Sequence, residues 1–95
     1  MNKILVIGVI DEIIFLEIEE LKDNNKNIKI VDRREWKKNE NVSKNLLKKI
    51  EIFLKRNSVK IEQLKRVKVK MENTQEYTLF RIIETIARTI NYCLK

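Results

Sequence analysis

Few side chains in this 95-residue chain could do chemistry. Histidine is absent and cysteine occurs once, as Cys93. The commonest general base and the commonest metal ligand are therefore missing, and no intrachain disulfide can form. Cys93 falls on an apolar helical stretch near the end of the chain, where a buried structural thiol is expected. Carboxylates remain. Glu12, Glu17, Glu19 and Glu20 crowd the N-terminal fifth. Glu17 and Glu19 alternate along one run with no positioned partner, whereas an acid–base pair needs two separated environments. A paired-carboxylate active site is not expected there. No carboxylate spacing suggests a metal, and no cofactor is expected.

The stretch ENTQEYTLFRII, Glu72 to Ile83, joins an alternating run to a long apolar one. Many α/β proteins hold a phosphate at such a junction, using backbone N–H groups and glycines that let the ligand approach. This junction has no glycine, so a strand-to-helix connector without an anion cradle is expected.

The third candidate is electrostatic. The chain carries a net charge of +7, unevenly spread. Residues 1–20 hold one Lys against five acids, a balance of −4, and residues 71–95 are neutral. Residues 21–70 hold 17 basic and six acidic residues, a balance of +11. A basic middle suits an acidic or nucleic-acid partner. Arg33, Arg34, Lys37 and Lys38 in DRREWKK could touch nucleic-acid phosphates without sequence preference. Specific RNA binding often adds aromatics for stacking, and only Trp36 interrupts that run. There is a competing explanation. Lys, Ile and Asn supply 40 of the 95 residues, the composition that AT-rich coding produces, and a solvated charged surface follows from it equally.

These residues need elements to position them. Ninety-five residues make one domain (1–95) with one modest core. With no proline and one glycine, turns must use Asn, Asp and Ser. KILVIG, Lys3 to Gly8, reads as a central strand covered on both faces, with a turn over Gly8–Asp11. IIFLEIEEL alternates in its second half and reads as a strand with one dry and one wet face, although residues 10–21 also admit a helix. DNNKN is a turn cluster. NIKIVD is a third strand with Ile28 and Ile30 on one face, and DRREWKKNEN a polar connection in which Trp36 covers the core edge. Ser43 can cap a helix in which Leu46, Leu47, Ile50, Phe53 and Leu54 share an arc of roughly 120°. VKIEQLKR links to the alternating strand VKVKM, and the last helix runs from about Tyr77 to Leu94. Its apolar arc, roughly 160° wide, exceeds what one sheet contact needs. A fourth strand arriving through a helical crossover lies parallel to the first. The expected fold is α/β: a βββαβα unit, a mixed four-stranded sheet in order 3-2-1-4, and both helices on one face.

That unit is the first half of an actin-like ATPase domain, the ribonuclease-H-like topology. It resembles the N-terminal lobe of the TsaB family, the tRNA threonylcarbamoyladenosine biosynthesis proteins. Those chains open with a strand of the type ILAIDTST, continue with a helix of the type LLPLIEEFLK, and carry a strand followed by GPGSFTGLRIG. KILVIGVID stands for the opening, NLLKKIEIFLKRN for the helix and VKIEQLKRVKV for the joining segment. ENTQEYTLFRI aligns without a gap, with Tyr77, Thr78, Phe80, Arg81 and Ile82 standing for Phe, Thr, Leu, Arg and Ile. The resemblance covers the whole chain, and the departures from it are specific. Gly8, Val9 and Ile10 replace the Asp and hydroxyls near the nucleotide phosphates, and Asn73, Gln75 and Leu79 replace motif glycines. The resemblance reaches only the first lobe, and no second lobe is expected.

The resemblance implies a shortened, non-enzymatic partner protein supporting threonylcarbamoyladenosine synthesis as a scaffold. In that family the lobe's helices dock on those of the catalytic paralogue TsaD. Here the same contact, or a homodimer, would use Leu47, Ile50, Ile52, Leu54, Leu79, Ile82, Ile86 and Ile90. A small basic nucleic-acid-binding module on the same fold is the alternative. No run of about 18 apolar residues spans a membrane and the start is not a signal peptide, so a cytoplasmic protein is expected.

Overall fold

The computed structural model describes residues 2–22, 27–39, 41, 44–72 and 77–94. Of Tyr77 and Cys93 it describes the backbone. The expected Asp23–Asn27 turn (apart from Asn27), the Ser43 cap, the buried Cys93 thiol and the junction residues 73–76 lie outside that description.

The chain forms strands β1 (Lys3–Ile10), β2 (Ile13–Lys22) and β3 (Asn27–Lys37), helix α1 (Leu46–Arg56), strand β4 (Leu64–Glu72) and helix α2 (Tyr77–Cys93). A short 3-10 turn, Ile61–Gln63, precedes β4. The sheet order is β3-β2-β1-β4. β2 is antiparallel to both β1 and β3, while β4 is parallel to β1. Side chains alternate across a strand, so register assigns every residue to a face. Leu5, Ile7 and Val9 of β1, Ile14, Leu16 and Ile18 of β2, and Val67 of β4 point to one side. Leu46, Ile50, Phe53 and Leu54 of α1 and Leu79, Ile83, Ala87 and Ile90 of α2 join the same core cluster. Both helices therefore lie on one face, as the periodicities require.

Two elements differ from the reading of the sequence. The turn does not begin at Gly8. β1 continues to Ile10, and the reversal is made by Asp11 and Glu12, with Asp11 in the left-handed region at φ 54°. Aspartate tolerates that region better than most residues. Gly8 is opposite Phe15 on β2, and a Cβ added to it would lie 2.2 Å from the Phe15 ring. Glycine is there so that the ring can lie flat on the strand.

The second difference is β3. The polar run Asp32–Lys37 is strand rather than connection, pairing residue by residue with β2 from Ile18↔Asp32 to Ile13↔Lys37. It is an edge strand, exposed along most of its length, so pairing and not a dry face makes it extended. β4 likewise begins at Leu64, earlier than VKVKM.

The face away from the helices is not simply wet. Ile4, Val6, Phe15 and Leu21 form a second buried cluster there, with Ile10 against it. Long charged side chains from the outer strands roof it. Arg33 stacks 4.0 Å over the Phe15 ring and reaches Glu17 Oε1 at 3.2 Å and Glu35 Oε2 at 2.7 Å.

Both helices are tied down near their C-terminal ends. α1 stops in a Schellman arrangement. Val59 N–H donates to the Leu54 carbonyl at 2.9 Å, Ser58 N–H donates to the Lys55 carbonyl at 3.0 Å, and Ser58 sits at φ 56°. A serine in that region carries a steric cost that glycine avoids. Ser58→Gly is therefore expected to raise stability by about 0.5–1 kcal/mol in urea denaturation, with an unchanged m-value. α2 is fastened to β4 by Asn91, whose side-chain oxygen accepts from Val67 N–H at 2.7 Å while its amide donates to the Val67 carbonyl at 3.0 Å.

Candidate functional site

The chemical candidates come first. Gly8, Val9 and Ile10 are strand residues, with Val9 fully buried, and Asp11 N–H donates to the Glu72 carbonyl at 3.1 Å. Glu12 is near Lys38, at 3.9 Å. Glu17 and Glu19 lie side by side on the face away from the helices. Glu17, 6% exposed, is neutralised by Arg33. Burial pushes the Glu19 carboxyl up from its ordinary value, a hydrogen bond with the Glu17 carboxyl pushes it further, and Lys68 pulls the other way. Glu19 Oε1 is buried without a hydrogen-bond partner, 4.0 Å from Lys68 Nζ. The pair lies on the face that carries the second hydrophobic cluster.

The sign of the Glu19 shift is testable. A carboxyl with a raised folded pKa holds its proton in the folded state after the unfolded chain has lost it, so it weakens the fold as pH rises through that window. Glu19→Gln is expected to be more stable than the parent by about 1 kcal/mol at pH 7. The advantage should vanish as pH falls below the ordinary glutamate range, as thermal melts across pH would show.

The residues expected to meet a partner divide sharply. Ile50, Leu54, Leu79 and Ile90 are buried in this chain's own core. Ile82 and Ile86 are half-buried, and Leu47 and Ile52 are 52% and 59% exposed. Five residues apart on a helix is a rotation of ~140°, so Leu47 and Ile52 lie on opposite flanks of α1. Ile52 faces β3. On α2, Asn91 occupies the flank at the outer edge of β4. Ile82 and Ile86, with Thr78, Arg81 and Thr85, line a shallow depression on the opposite flank of the helix. Apolar surface left on the two helices among the described residues includes Ile82, Ile86 and Leu47, besides Ile52 and the 77% exposed Tyr92.

The four basic residues are not brought together, because neighbours on a strand point to opposite faces. Arg33 is consumed on the face away from the helices by Glu17, Glu35 and Phe15. Arg34 points to the helix side. Lys37 ends β3, and Lys38 donates its backbone N–H to the Glu12 carbonyl at 2.6 Å. Instead Arg34 joins Lys49 and Arg56 of α1 around Trp36, in a cleft of about 230 Å³ closed by Ile52 and Phe53. Asp32 anchors this corner. It accepts from Asn57 Nδ2 at 3.0 Å and lies 3.8 Å from Arg56 Nε. The Asn57 hydrogen bond, then the Arg33 backbone N–H and the Arg56 charge, hold its carboxyl below the usual aspartate range. Lys49, Ile52, Phe53 and Arg56 recur at i, i+3, i+4 and i+7, a one-flank spacing that could have revealed the cleft.

Three antiparallel strands, a crossover helix, a parallel fourth strand and a second helix on the same face define the class: the ribonuclease-H-like half of an actin-like domain. Comparison with solved structures makes this particular. The chain is similar to YeaZ (TsaB) from Pseudomonas aeruginosa, with a TM-score of 0.72 at 12% identity over 99% of this chain and 40% of that one. A second structure, of an uncharacterized protein with similarity to peptidase YeaZ from the same organism, gives 0.70 at 13% identity, again over 99% and 40%. The chain thus spans about 40% of the length of the structures it matches, and what is shared is the fold. No protein-family model and no curated protein matches the sequence. Among the described residues no helix is long and apolar enough to cross a membrane, and no three metal-ligating side chains come together.

Proposed function

We propose that this chain is a TsaB-like, non-catalytic lobe that docks on a TsaD-type protein through its two helices and so supports threonylcarbamoyladenosine modification of tRNA in the cytoplasm. The likeness to YeaZ supports the fold half of this reading. The observation that carries the docking half is that Ile82 and Ile86 stay half-exposed on the flank of α2 that neither β4 nor Asn91 occupies. Leu47, 52% exposed on α1, extends that apolar surface. The non-catalytic half rests on Gly8, Val9 and Ile10, which continue β1 where the resemblance implies a carboxylate and hydroxyls.

The test is association with the TsaD-type protein of the same host, by calorimetry and size-exclusion with light scattering. Ile82→Asp with Ile86→Asp is expected to weaken binding at least ~100-fold, the loss of a central apolar anchor. Because both residues are half-exposed, circular dichroism should show the fold retained. The absence of a complex at micromolar concentration, or affinity unchanged in the variant, overturns the proposal. A homodimer broken by the same variant would identify a second copy as the occupant and overturn the TsaD assignment.

A further inference from the structure

The geometry points to a binding site for a nucleoside monophosphate unit in the cleft between β3 and α1, with the base on Trp36 and the phosphate on Arg34, Lys49 and Arg56. The site lies at the β3 edge, two strands from β1 and at the opposite side of the sheet from the β4–α2 junction. It does not depend on the proposed docking flank.

Three observations converge. The first is charge. Arg34 and Lys49 have no carboxylate within ion-pair distance among the described residues, and Asp32, 3.8 Å from Arg56 and close enough to feel the Arg34 charge, is already engaged by Asn57. Three cations against the single Asp32 carboxylate leave the cleft of about 230 Å³ with a net positive charge that a further anion would offset. The second is the aromatic surface. The Arg34 guanidinium lies 5.9 Å and the Lys49 ammonium 5.1 Å from the centre of the Trp36 ring, within cation–π range. A planar base stacks on that ring as it does on aromatic platforms of single-strand binders, and the cations swing from ring to phosphate. A purely peptidic anion would satisfy the charges and leave the indole uncovered. The third is size and shape. The volume is below the about 300–1,000 Å³ of drug-sized sites, which suits one nucleotide unit and not a dinucleotide. Phe53 is the buried floor and exposed Ile52 the apolar wall, so the ring plane is flanked by surface a base can cover.

The unit could come from a free mononucleotide or from a single strand, and the experiment separates them. Trp36 is the chain's sole tryptophan, so its fluorescence reports the site directly. AMP, adenosine, inorganic phosphate and an octanucleotide of single-stranded RNA are titrated at two salt concentrations. Saturable quenching by AMP is expected, with adenosine and phosphate each at least tenfold weaker. If the octanucleotide binds tighter, with a log–log salt slope above the ~0.7 that a single phosphate contact gives, the site belongs to a strand. If AMP binds as well, it is a mononucleotide site. Arg34→Gln with Lys49→Gln, two residues without ion pairs, is expected to weaken binding at least tenfold with an unchanged melt. Trp36→Leu should do the same, read by anisotropy of a labelled octanucleotide. Phosphate as effective as AMP, no saturation at millimolar AMP or high-micromolar octanucleotide, or unchanged binding in the Arg34/Lys49 variant overturns the assignment.

Discussion

Gly8→Ala is expected to lower stability by about 3 kcal/mol, enough to threaten folding of a domain this small. Exchanging glycine for alanine in a strand is normally favourable by a fraction of a kcal/mol, because the unfolded chain loses freedom and a Cβ is gained for packing. Here the sign reverses. The new Cβ would lie 2.2 and 2.3 Å from two Phe15 ring carbons and 3.0 Å from the Lys70 carbonyl oxygen. The ring cannot swing aside freely. It is 1% exposed, packed with Ile4, Val6 and Leu21, and Arg33 covers it at 4.0 Å. Urea denaturation should show the loss, and a thermal melt should fall by roughly 4–8 °C for each kcal/mol. Adding Phe15→Leu to Gly8→Ala should restore part of the stability, with a coupling of at least ~1 kcal/mol across the pair. Additive single effects would show that the ring does not depend on the glycine.

Arg33→Ala is the second large effect, about 2–3 kcal/mol. Truncating one member of a buried ion pair strands the other, at a cost of ~3–5 kcal/mol when both are fully buried. Glu17 is nearly so, with 8% of its side chain exposed, while 35% of Arg33's side chain meets water, which lowers the figure. Lost stacking on Phe15 adds to it. The partner change discriminates. Glu17→Gln in the Arg33→Ala background should recover at least half of the loss, because the stranded charge is gone. The exposed contact to Glu35 contributes little, so Glu35→Gln alone should move the melt hardly at all.

The elements whose signal is local were legible in the sequence. β2 shows its alternation, α1 and α2 their apolar arcs, and the parallel placement of β4 follows from the crossover. Elements specified by distant partners were not. Gly8 looks like a turn residue at the end of an apolar run, and its reason is an aromatic ring seven positions later on the neighbouring strand. Apart from Trp36, Asp32–Lys37 is polar on both faces, so little in its composition announces a strand, and pairing with β2 makes it one. The same hidden strand scattered the DRREWKK cations. Read as a connection they formed one patch, but as a strand they alternate, and Arg33 and Arg34 serve opposite faces. The apolar excess on α2 was visible in the sequence. Its division into core (Leu79, Ile83, Ala87, Ile90) and leftover surface (Ile82, Ile86) depends on where β4 runs beneath it.

The double hydrogen bond from Asn91 to Val67 makes the last helix a guard as well as a platform. A side-chain amide stands in for the peptide group of a fifth strand at Val67 and blocks that position of the sheet's outer rim, where backbone donors and acceptors would otherwise invite another chain to add on. Whatever grips the free flank of that helix also holds the seal shut, and whatever peels the helix away uncovers a sticky margin. One seventeen-residue segment thus both packs on the sheet and shields part of its β4 edge.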